Sequence, residues 1–346
     1  MTGTSLDGVD VCLIRVHKKT QYLAHYFLPM GEELANELRS LNSPQYDEIN
    51  RAEMAIQAQT KLMARAVATL LARHGLEPAQ IRAIGLHGQT LRHRPDLGYT
   101  VQWHNGALLA ELTGISVVTD FRRRDVAAGG QGAPLAPLFQ RAFFPQLPVA
   151  IVNLGGFANL TVLTEKESRG FDCGPANVLM DLWIQRHRDA SYDEAGAWAR
   201  SGTLREPLLN AMLADAYFSR PAPKSTGRDE FNGAWLARFP LADYAPADVQ
   251  RTLLELTART VATALRENHP ARNYCLTGGG AANDFLRQRL RELLPGWTTL
   301  EPPLPAQALE AAGFGWLACQ CLRGRALDLT GSTGGPPRIL GAIYPR

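Results

Sequence analysis

The chain has 346 residues, of which 45% are hydrophobic and 20% are charged, so an intrinsically disordered protein is excluded. Its length suits two ordinary domains better than one. The 36 Lys and Arg residues against 33 Asp and Glu give a net charge of +3, which predicts no nucleic-acid partner. No apolar stretch approaches the length of a membrane span, so no membrane partner is expected. The 5 cysteines, without a CxxC pair, indicate reduced thiols in a cytoplasmic protein.

Predicted strands and helices alternate along the chain. The first half predicts strands at 9–16, 81–86 and 115–119, and helices at 52–74 and 134–144. The second half predicts a hairpin of strands at 149–154 and 160–164, a strand at 274–276, and helices at 176–188, 253–267, 283–294 and 306–322. This alternation predicts an α/β architecture. Glycine turns at 3–8 and 155–156, each leading into a strand, suggest two similar halves.

The chain opens on a loop of small, hydroxyl-bearing and acidic residues, TGTSLDGVD at 2–10. Small residues let the backbone approach an anion closely, and amide and hydroxyl groups donate to phosphate oxygens. Asp7 or Asp10 could organise a hydrated Mg²⁺. Taken alone, the composition is better explained as a tight turn with an Asx motif, and it is not a Walker A sequence.

A second glycine-rich segment, Gly278-Gly279-Gly280, follows a predicted strand and precedes a predicted helix. This arrangement is common in nucleotide sites, because the start of a helix offers free N–H groups. Three consecutive glycines cost chain entropy, which argues weakly against a filler turn.

An acidic residue, Asp172, lies in a predicted Gly/Pro turn, the segment GFDCGPAN at 170–177, before a predicted helix. It could serve as a general base, with Asp181 nine residues further on. It could equally be the N-cap carboxylate of a helix that begins near Pro175. The spacing alone does not separate the two interpretations.

Two basic segments remain. The cluster DFRRRD at 120–125 favours recognition of one small anion, and the alternative is a solvated charged turn. The segment KSTGR at 224–228 resembles a phosphate-contact loop in composition, but it could also be an exposed turn. His87 and His93 have no standard metal-ligand spacing, so neither is predicted to be a metal ligand, and no residue is assigned as a direct ligand of a metal.

Eight longer motifs occur together and in a fixed order, and through them the chain resembles the anhydro-N-acetylmuramic acid kinase family. They are MTGTSLDGVD, GLHGQTLRHRP, DFRRRDVAAGGQGAPLAP, VNLGGFANLT, GFDCGPANVLMDLW, PKSTGRDEFN, LTGGGAAND and LGAIYP. The resemblance covers essentially the whole chain. It implies an actin-like ATPase fold of the ribonuclease H-like kind, in which two related α/β domains enclose a nucleotide cleft.

The resemblance also implies site residues. The first phosphate loop would be Gly3, Thr4, Ser5, Leu6, Asp7, Gly8, Val9 and Asp10, and the adenosine side would be Gly278, Gly279 and Gly280. Asp172 would be the catalytic base. Thr90, Arg124 and Glu310 would line the amino-sugar site, where a planar guanidinium suits the lactyl carboxylate; Arg122 and Arg123 are expected to be structural.

The reaction implied by the resemblance uses ATP and Mg²⁺. Asp172 would deprotonate a water that opens the 1,6-anhydro ring of 1,6-anhydro-N-acetylmuramic acid, and O6 would take the γ-phosphoryl group. The products would be N-acetylmuramic acid 6-phosphate and ADP, in peptidoglycan recycling. The alternative function is a non-catalytic or chaperone-like actin-fold ATPase module. The sequence does not determine whether the enzyme forms a homodimer.

Three further expectations come from the same resemblance. Domain I is expected at 1–123 with 335–346, and domain II at 124–334. Ala176 stands where the family usually has glycine, and the exchange is expected to be tolerated. The family has a short apolar strand before its phosphate loop, so the first strand is expected to be missing, with a true start upstream. The 346-residue form should then be less stable, and bind ATP more weakly, than an extended form.

Overall fold

The structure is a computed structural model that describes residues 1–2, 6–44, 46–222 and 224–346. Gly3, Thr4 and Ser5 of the predicted phosphate loop lie outside the described residues. The chain divides into two compact units, each described by itself below. The first unit is Met1–Pro145 with Gln307–Arg346, and the second is Gln146–Ala306.

The strands and helices follow in chain order. The strands are β1 (Gly8–Val16), β2 (Thr20–Pro29), β3 (Ile84–Gly85), β4 (Gln89–Arg94), β5 (Tyr99–Trp103), β6 (Val117–Thr119), β7 (Val149–Leu154), β8 (Phe157–Leu163), β9 (Ser168–Pro175), β10 (Asn273–Thr277), β11 (Thr298–Leu300) and β12 (Ala342–Tyr344). The helices are α1 (Glu32–Ser40), α2 (Glu48–Arg73), α3 (Gly106–Thr113), α4 (Phe121–Val126), α5 (Ala136–Phe143), α6 (Asn177–Arg188), α7 (Ala197–Ser201), α8 (Glu206–Leu213), α9 (Ala216–Ser219), α10 (Gly233–Leu236), α11 (Pro246–Asn268), α12 (Asp284–Leu293) and α13 (Ala308–Leu322).

The first unit contains short sheets covered by two long helices. Strands β1 and β2 form an antiparallel hairpin, and β4 and β5 form a second one. A separate sheet has the order β12-β6-β3, in which the C-terminal strand β12 pairs antiparallel with β6. Helices α2 and α13 pack against β1, and α13 also packs on β3. A Cβ at Gly85 would lie 2.1 Å from the Phe314 carbonyl oxygen, so glycine permits this close approach of α13 to β3.

The second unit contains one five-stranded sheet with the order β11-β10-β7-β8-β9. Strands β11, β10 and β7 are parallel, while β7, β8 and β9 form an antiparallel meander. Helix α11 is buried over most of its length and packs against α6, α7, α8 and α12. Its apolar residues, such as Leu254 and Val261, therefore belong to the core of this unit rather than to an amphipathic surface helix.

Most of the elements predicted from the sequence are confirmed. The 149–154 and 160–164 segments form the predicted hairpin, and the predicted long helices agree with α2, α6, α12 and α13 to within about four residues. The helix predicted at 253–267 is confirmed as α11, but its predicted start is wrong, because α11 begins at Pro246. The predicted 81–86 strand is wrong in length, because only Ile84 and Gly85 pair. The prediction that Asp172 lies in a turn is also wrong, because it is within β9. The charged cluster at 120–125 forms the short helix α4.

The two compact units differ in their bounds from the domains predicted by resemblance. Residues 124–145 and 307–334 lie in the first unit, because α13 packs on β1 and β3 and α5 packs on α13. The division of the chain into domains I and II of the family's fold stays a prediction. In the part of the chain that the structure describes, no helix has the length and apolar character needed to span a membrane.

Candidate functional site

The described part of the N-terminal loop, Leu6 to Asp10, is held in a fixed conformation. Leu6 is buried with a positive φ of 57°, and the Asp7 carbonyl accepts a hydrogen bond from the Met30 N–H at 2.9 Å. A Cβ at Gly8 would lie 2.4 Å from the Phe27 ring. Only glycine fits there, so the chain can enter β1 directly from the loop.

The carboxylate of Asp10 has a partner on the neighbouring strand. Its Oδ1 lies 2.7 Å from Nε2 of His25 on β2, across the hairpin. The side chain of Asp7 is exposed. These two carboxylates are hard oxygen donors of the kind Mg²⁺ prefers, and they would leave most of its coordination sphere to water and phosphate. The described residues contain no group of three or more His, Cys, Asp or Glu that could hold a metal ion.

The three predicted amino-sugar residues all belong to the first unit. Thr90 on β4 is half-buried, and its hydroxyl accepts a hydrogen bond from the Gln102 side chain at 3.3 Å. Glu310 lies in the first turn of α13, where desolvation raises the pKa of its carboxyl and the nearby Arg122 opposes that shift. Arg124 is exposed on α4, and its side chain has an electrostatic contact with Cys321.

Arg122, which the sequence predicts to be structural, lies close enough to Glu310 for the two charges to interact. Its Nε donates to His87 Nε2 at 2.9 Å, and its Nη1 donates to the Gly132 carbonyl at 2.8 Å. Burial, together with the guanidinium, lowers the pKa of His87 well below its usual value, so this imidazole is a neutral acceptor. Arg122 therefore joins α4, the glycine-rich turn and α13 into one polar cluster. The RRR run contained no signal for which arginine would do this.

Asp172 is the predicted base, and the second unit positions it with several hydrogen bonds. Its backbone N–H donates to the Lys224 carbonyl at 2.8 Å, and its carbonyl accepts from the Tyr217 hydroxyl at 2.8 Å. Its Oδ2 accepts from the Thr226 N–H at 3.0 Å. The N-cap interpretation is wrong, because α6 is capped at Ala176 without a side-chain bond.

The pKa of Asp172 is raised. Desolvation is the largest cause, and hydrogen bonds from the Thr226 N–H and the Asn159 side chain oppose it. The carboxyl is only half-buried, so it remains able to meet a small molecule. A carboxylate that is fixed in orientation and has a raised pKa is suited to accept a proton.

Asp181 on α6 is a second acid with a raised pKa, to about 7, because of desolvation; the nearby Arg228 opposes this shift and Asp193 adds to it. Arg228 belongs to the KSTGR segment, which also supplies the Thr226 N–H to Asp172. The KSTGR segment, for which the sequence left two interpretations open, therefore interacts with both Asp172 and Asp181.

The triple glycine lies between β10 and α12, as the sequence predicted. Gly278 has a φ of +79°, and a Cβ there would lie 2.9 Å from the Leu154 carbonyl oxygen, so it is required for packing. Gly280 packs against Leu154 as well. Gly279 is exposed, and its Cβ position has nothing within 4 Å, which leaves room for a ligand. Asn283 caps α12 by accepting from the Leu286 N–H at 2.9 Å.

Comparison with known proteins identifies the kind of enzyme that carries these residues. A sequence model of the anhydro-N-acetylmuramic acid kinase family matches residues 1–346. An anhydro-N-acetylmuramic acid kinase of Pseudomonas putida is 49% identical over 355 residues, covering 100% of this chain and 98% of the relative. One of Bordetella petrii is 49% identical over 361 residues, covering 100% and 95%. The chain is thus a kinase. It belongs to the anhydro-N-acetylmuramic acid kinase family.

Membership in a kinase family supports the use of ATP and a small sugar substrate, and it does not favour the alternative of a non-catalytic module. Among solved structures, component A of the Acidaminococcus fermentans (R)-2-hydroxyglutaryl-CoA dehydratase has a TM-score of 0.45 and 12% identity, covering 88% of this chain and 95% of that one. A similarity of this size is too low to assign a fold.

Proposed function

We propose that this protein uses ATP and Mg²⁺ to open the 1,6-anhydro ring of 1,6-anhydro-N-acetylmuramic acid and to phosphorylate O6. The products are N-acetylmuramic acid 6-phosphate and ADP, and the enzyme acts in peptidoglycan recycling in the cytoplasm. Family membership supports the kinase chemistry. The proposed opening of the ring by water rests on one observation. Asp172 has a half-buried carboxyl with a raised pKa, and the Thr226 N–H orients it.

Asp172 acts as a general base on water. The water oxygen bonds to the anomeric carbon while its proton passes to the Asp172 carboxylate. The bond between C1 and O6 breaks, and O6 bonds to the γ-phosphorus as the bond to the β-phosphate oxygen breaks and ADP leaves. An acetal usually needs an acid to protonate its leaving oxygen. Here the phosphorus captures that oxygen, so one base is sufficient.

The phosphate-binding groups are proposed from the two glycine-rich segments. Gly3 to Asp10 hold the β- and γ-phosphates, and Gly278 to Gly280 hold the adenosine side. Support comes from the exposed, uncrowded Gly279 and from the tight entry of the chain into β1 at Gly8. Mg²⁺ would be held by Asp7 or Asp10 through water, and it supplies charge neutralisation on the transferring phosphoryl group.

The sugar-binding residues proposed are Thr90, Arg124 and Glu310. Arg124 offers an exposed guanidinium that can pair bidentately with the lactyl carboxylate. Arg122 already donates to His87 and to the Gly132 carbonyl, which supports a structural role for it. Arg124→Lys should therefore raise KM for the sugar more than it lowers kcat, because it removes ground-state binding.

The proposal is tested by Asp172→Asn, with Asp243→Asn as a control at an exposed acid of the same unit. We expect Asp172→Asn to abolish turnover of the anhydro-sugar while ATP binding, measured by calorimetry, is retained. Asp243→Asn should behave as the unmodified protein. Retained kinase activity in Asp172→Asn would overturn the assignment, and Asp181→Asn is the next variant to test, because Asp181 is the other acid with a raised pKa.

A further inference from the structure

A segment of the second unit, residues 224–230, lies against Asp172, and the proposed mechanism uses nothing of it except the Thr226 N–H. The segment begins beside β9, because the Asp172 N–H donates to the Lys224 carbonyl at 2.8 Å. It then turns back on itself, since the N–H groups of residues 230 and 231 donate to the Gly227 carbonyl at 3.1 and 3.0 Å. This turn brings Glu230 beside Thr226.

The side chain of Glu230 is held at both carboxylate oxygens. Its Oε2 accepts from the Thr226 hydroxyl at 2.8 Å, and its Oε1 accepts from Arg220 Nη2 at 2.8 Å. The Arg220 guanidinium also lies 5.3 Å from the ring centroid of Tyr217, the buried residue whose hydroxyl donates to the Asp172 carbonyl. Arg220, Glu230 and Thr226 are called the Glu230 network below. Because Arg220 balances the charge of Glu230, the network places no net charge beside Asp172.

The exposure of the Glu230 network argues against a purely structural role. Arg220 is exposed and Glu230 is half-buried, and an ion pair open to solvent contributes little to stability. The backbone of Asp172 is fixed independently of this pair, by its pairing with β8, by the Lys224 carbonyl and by the Tyr217 hydroxyl. Loss of the network should therefore leave the fold intact and change the surroundings of the Asp172 carboxyl.

The carboxyl of Asp172 needs neighbouring donors, because its own torsion does not fix its orientation. The χ2 torsion of an aspartate is broad and roughly two-fold, so hydrogen bonds decide where the two oxygens point. The Thr226 N–H donates to Oδ2 at 3.0 Å. Thr226 lies in neither a helix nor a strand, so regular secondary structure does not fix its backbone. The bond from its hydroxyl to Glu230 therefore restrains the residue that orients Asp172.

We propose that Glu230 and Thr226 are positioning residues for Asp172. The Glu230 carboxylate, paired with Arg220, fixes the Thr226 hydroxyl and with it the direction of the N–H that holds Asp172 Oδ2. A lone pair of the Asp172 carboxylate then stays directed at the attacking water, as proton transfer requires. Both residues act through Asp172 rather than on the substrate, and the inference rests on the proposed role of Asp172 as the base.

Titration of the Asp172 carboxyl reports on this network. Desolvation raises the pKa of Asp172, and the hydrogen bonds from the Thr226 N–H and the Asn159 side chain oppose this shift. Cys173 and Tyr217 also interact with Asp172, and burial raises the pKa of both, that of Cys173 to about 12. These two groups therefore stay neutral over the pH range in which a carboxyl titrates. A weaker bond from the Thr226 N–H should raise the pKa of Asp172 further.

The test compares variants of the full chain at the two ends of the bond between Thr226 and Glu230. Thr226→Val keeps the branched shape and the N–H but lacks the hydroxyl, whereas Thr226→Ser keeps the hydroxyl. Glu230→Met removes the acceptor at similar length, and the double variant Thr226→Val/Glu230→Met completes a double-mutant cycle. Thr298→Val, at an exposed threonine of β11 in the same unit, is the control. The measurements are carbon-13 NMR titration of the Asp172 carboxyl, identified with Asp172→Asn, together with Tm, kcat and KM.

Thr226→Val and Glu230→Met should each raise the pKa of Asp172 by about 1 and lower kcat by about ten-fold, because the carboxylate loses a fixed donor. KM for ATP and Tm should stay close to those of the unmodified protein. The double variant should show the shift of one variant rather than the sum of two, because both changes break the same bond. Thr226→Ser and Thr298→Val should match the unmodified protein.

An unchanged pKa of Asp172 in Thr226→Val, or additive shifts in the double variant, would overturn the inference. So would a loss of activity in Thr226→Ser equal to that in Thr226→Val. If Glu230→Met does not fold, the comparison of Thr226→Val with Thr226→Ser still decides the outcome. The titration requires neither ATP nor sugar, so it is independent of the proposed reaction. Retained turnover in Asp172→Asn would instead overturn the proposed function, whatever the titration shows.

Discussion

At the residue scale, the orientation and the pKa of Asp172, the proposed base, depend on groups that are far from it in the sequence. Thr226, which donates to its carboxylate, is 54 positions away, and Tyr217, which donates to its carbonyl, is 45 positions away. The motif GFDCGP indicates Asp172 as the candidate base, but no local pattern indicates these donors. Their positions depend on the packing of the 224–226 segment against β9, which is a tertiary effect.

Asn159 provides a prediction about pH. Its side-chain hydrogen bond lowers the pKa of Asp172 against the larger effect of desolvation. Asn159→Ala should therefore raise that pKa further. Because the proposed base must be ionised to accept a proton, the acid limb of the kcat profile should move to higher pH. Asn210→Ala, at an exposed position of the same unit, is the control. If the acid limb of the kcat profile is the same in Asn159→Ala as in the unmodified protein, a group other than Asp172 controls it.

Asp181 provides a prediction about stability. Its pKa is raised to about 7 from an ordinary value of 3.8, so the folded state disfavours its ionised form. The unfolded chain ionises first, and this acid therefore destabilises the fold increasingly as pH rises from about 4 to about 7. Asp181→Asn should raise Tm by about 2–4 °C at pH 8, after allowance for partial solvent screening, and leave it unchanged near pH 3. Thermal unfolding at the two pH values measures this, and the same shift at both would contradict it.

At the scale of elements, long helices and apolar strands were predictable, while several strands were not. Helix α2 has clear 3.6-residue periodicity, so its packing agrees with the local sequence pattern. Helix α11 is instead buried over most of its length, and its apolar composition and its length indicated a helix. Strand β9 contains glycine, proline and acid, the composition of a turn, and it becomes a strand only because β8 pairs with it. Strand β3 is shorter than its apolar pattern, because a strand forms only where a partner lies beside it.

Helices α11 and α12 are joined by a buried charge cluster. Glu255 is fully buried, and although desolvation raises its pKa, hydrogen bonds from Arg289 and Arg251 bring it down to about 2, with a further contribution from Arg259. Glu255→Gln leaves these guanidinium groups uncompensated, so we expect a loss of about 3–5 kcal/mol at pH 7. Glu206→Gln, which breaks an exposed pair with Arg259, should cost about 0–1 kcal/mol.

The stability lost in Glu255→Gln should depend on pH, because the folded state lowers the pKa of Glu255. Glu255 has a folded pKa of about 2 against an ordinary value of 4.5. The contribution of its ionised carboxylate to the free energy of unfolding is complete above pH 4.5 and is lost as the pH falls toward 2. The difference between the unmodified protein and Glu255→Gln in urea unfolding should therefore shrink over this range. A constant difference would mean that the charge of Glu255 is unimportant.

In the triple glycine, Gly278 and Gly279 are expected to have different roles: Gly278 stabilises the fold, and Gly279 contacts the nucleotide. Gly278→Ala should destabilise the fold by about 1–3 kcal/mol, because its positive φ and the Leu154 carbonyl leave no place for a Cβ. Gly279→Ala meets open space, so the fold should keep its Tm while ATP binds more weakly. Calorimetric titration of ATP and thermal unfolding measure the two effects. Unchanged ATP affinity in Gly279→Ala would place the adenosine elsewhere.

At the scale of the whole molecule, two compact units agree with the size expected from 346 residues. The sequence predicts that residues 335–346 return to domain I, and the structure pairs β12, which lies within that segment, with β6 of the first unit. The bounds of the units could not be read from the sequence, because α13 joins the first unit through packing on β1 and β3.

The central claim is that ring opening and phosphoryl transfer are one coupled reaction. The direct measurement is incubation of the protein with ATP, Mg²⁺ and 1,6-anhydro-N-acetylmuramic acid in oxygen-18 water, followed by mass spectrometry of the products. Unlabelled N-acetylmuramic acid 6-phosphate, kept in the same water for the same time, corrects for exchange of the anomeric oxygen. We predict oxygen-18 on the anomeric carbon, an unlabelled ester oxygen on phosphorus, and no ring opening without ATP. Oxygen-18 in inorganic phosphate with the bicyclic sugar intact would contradict the account.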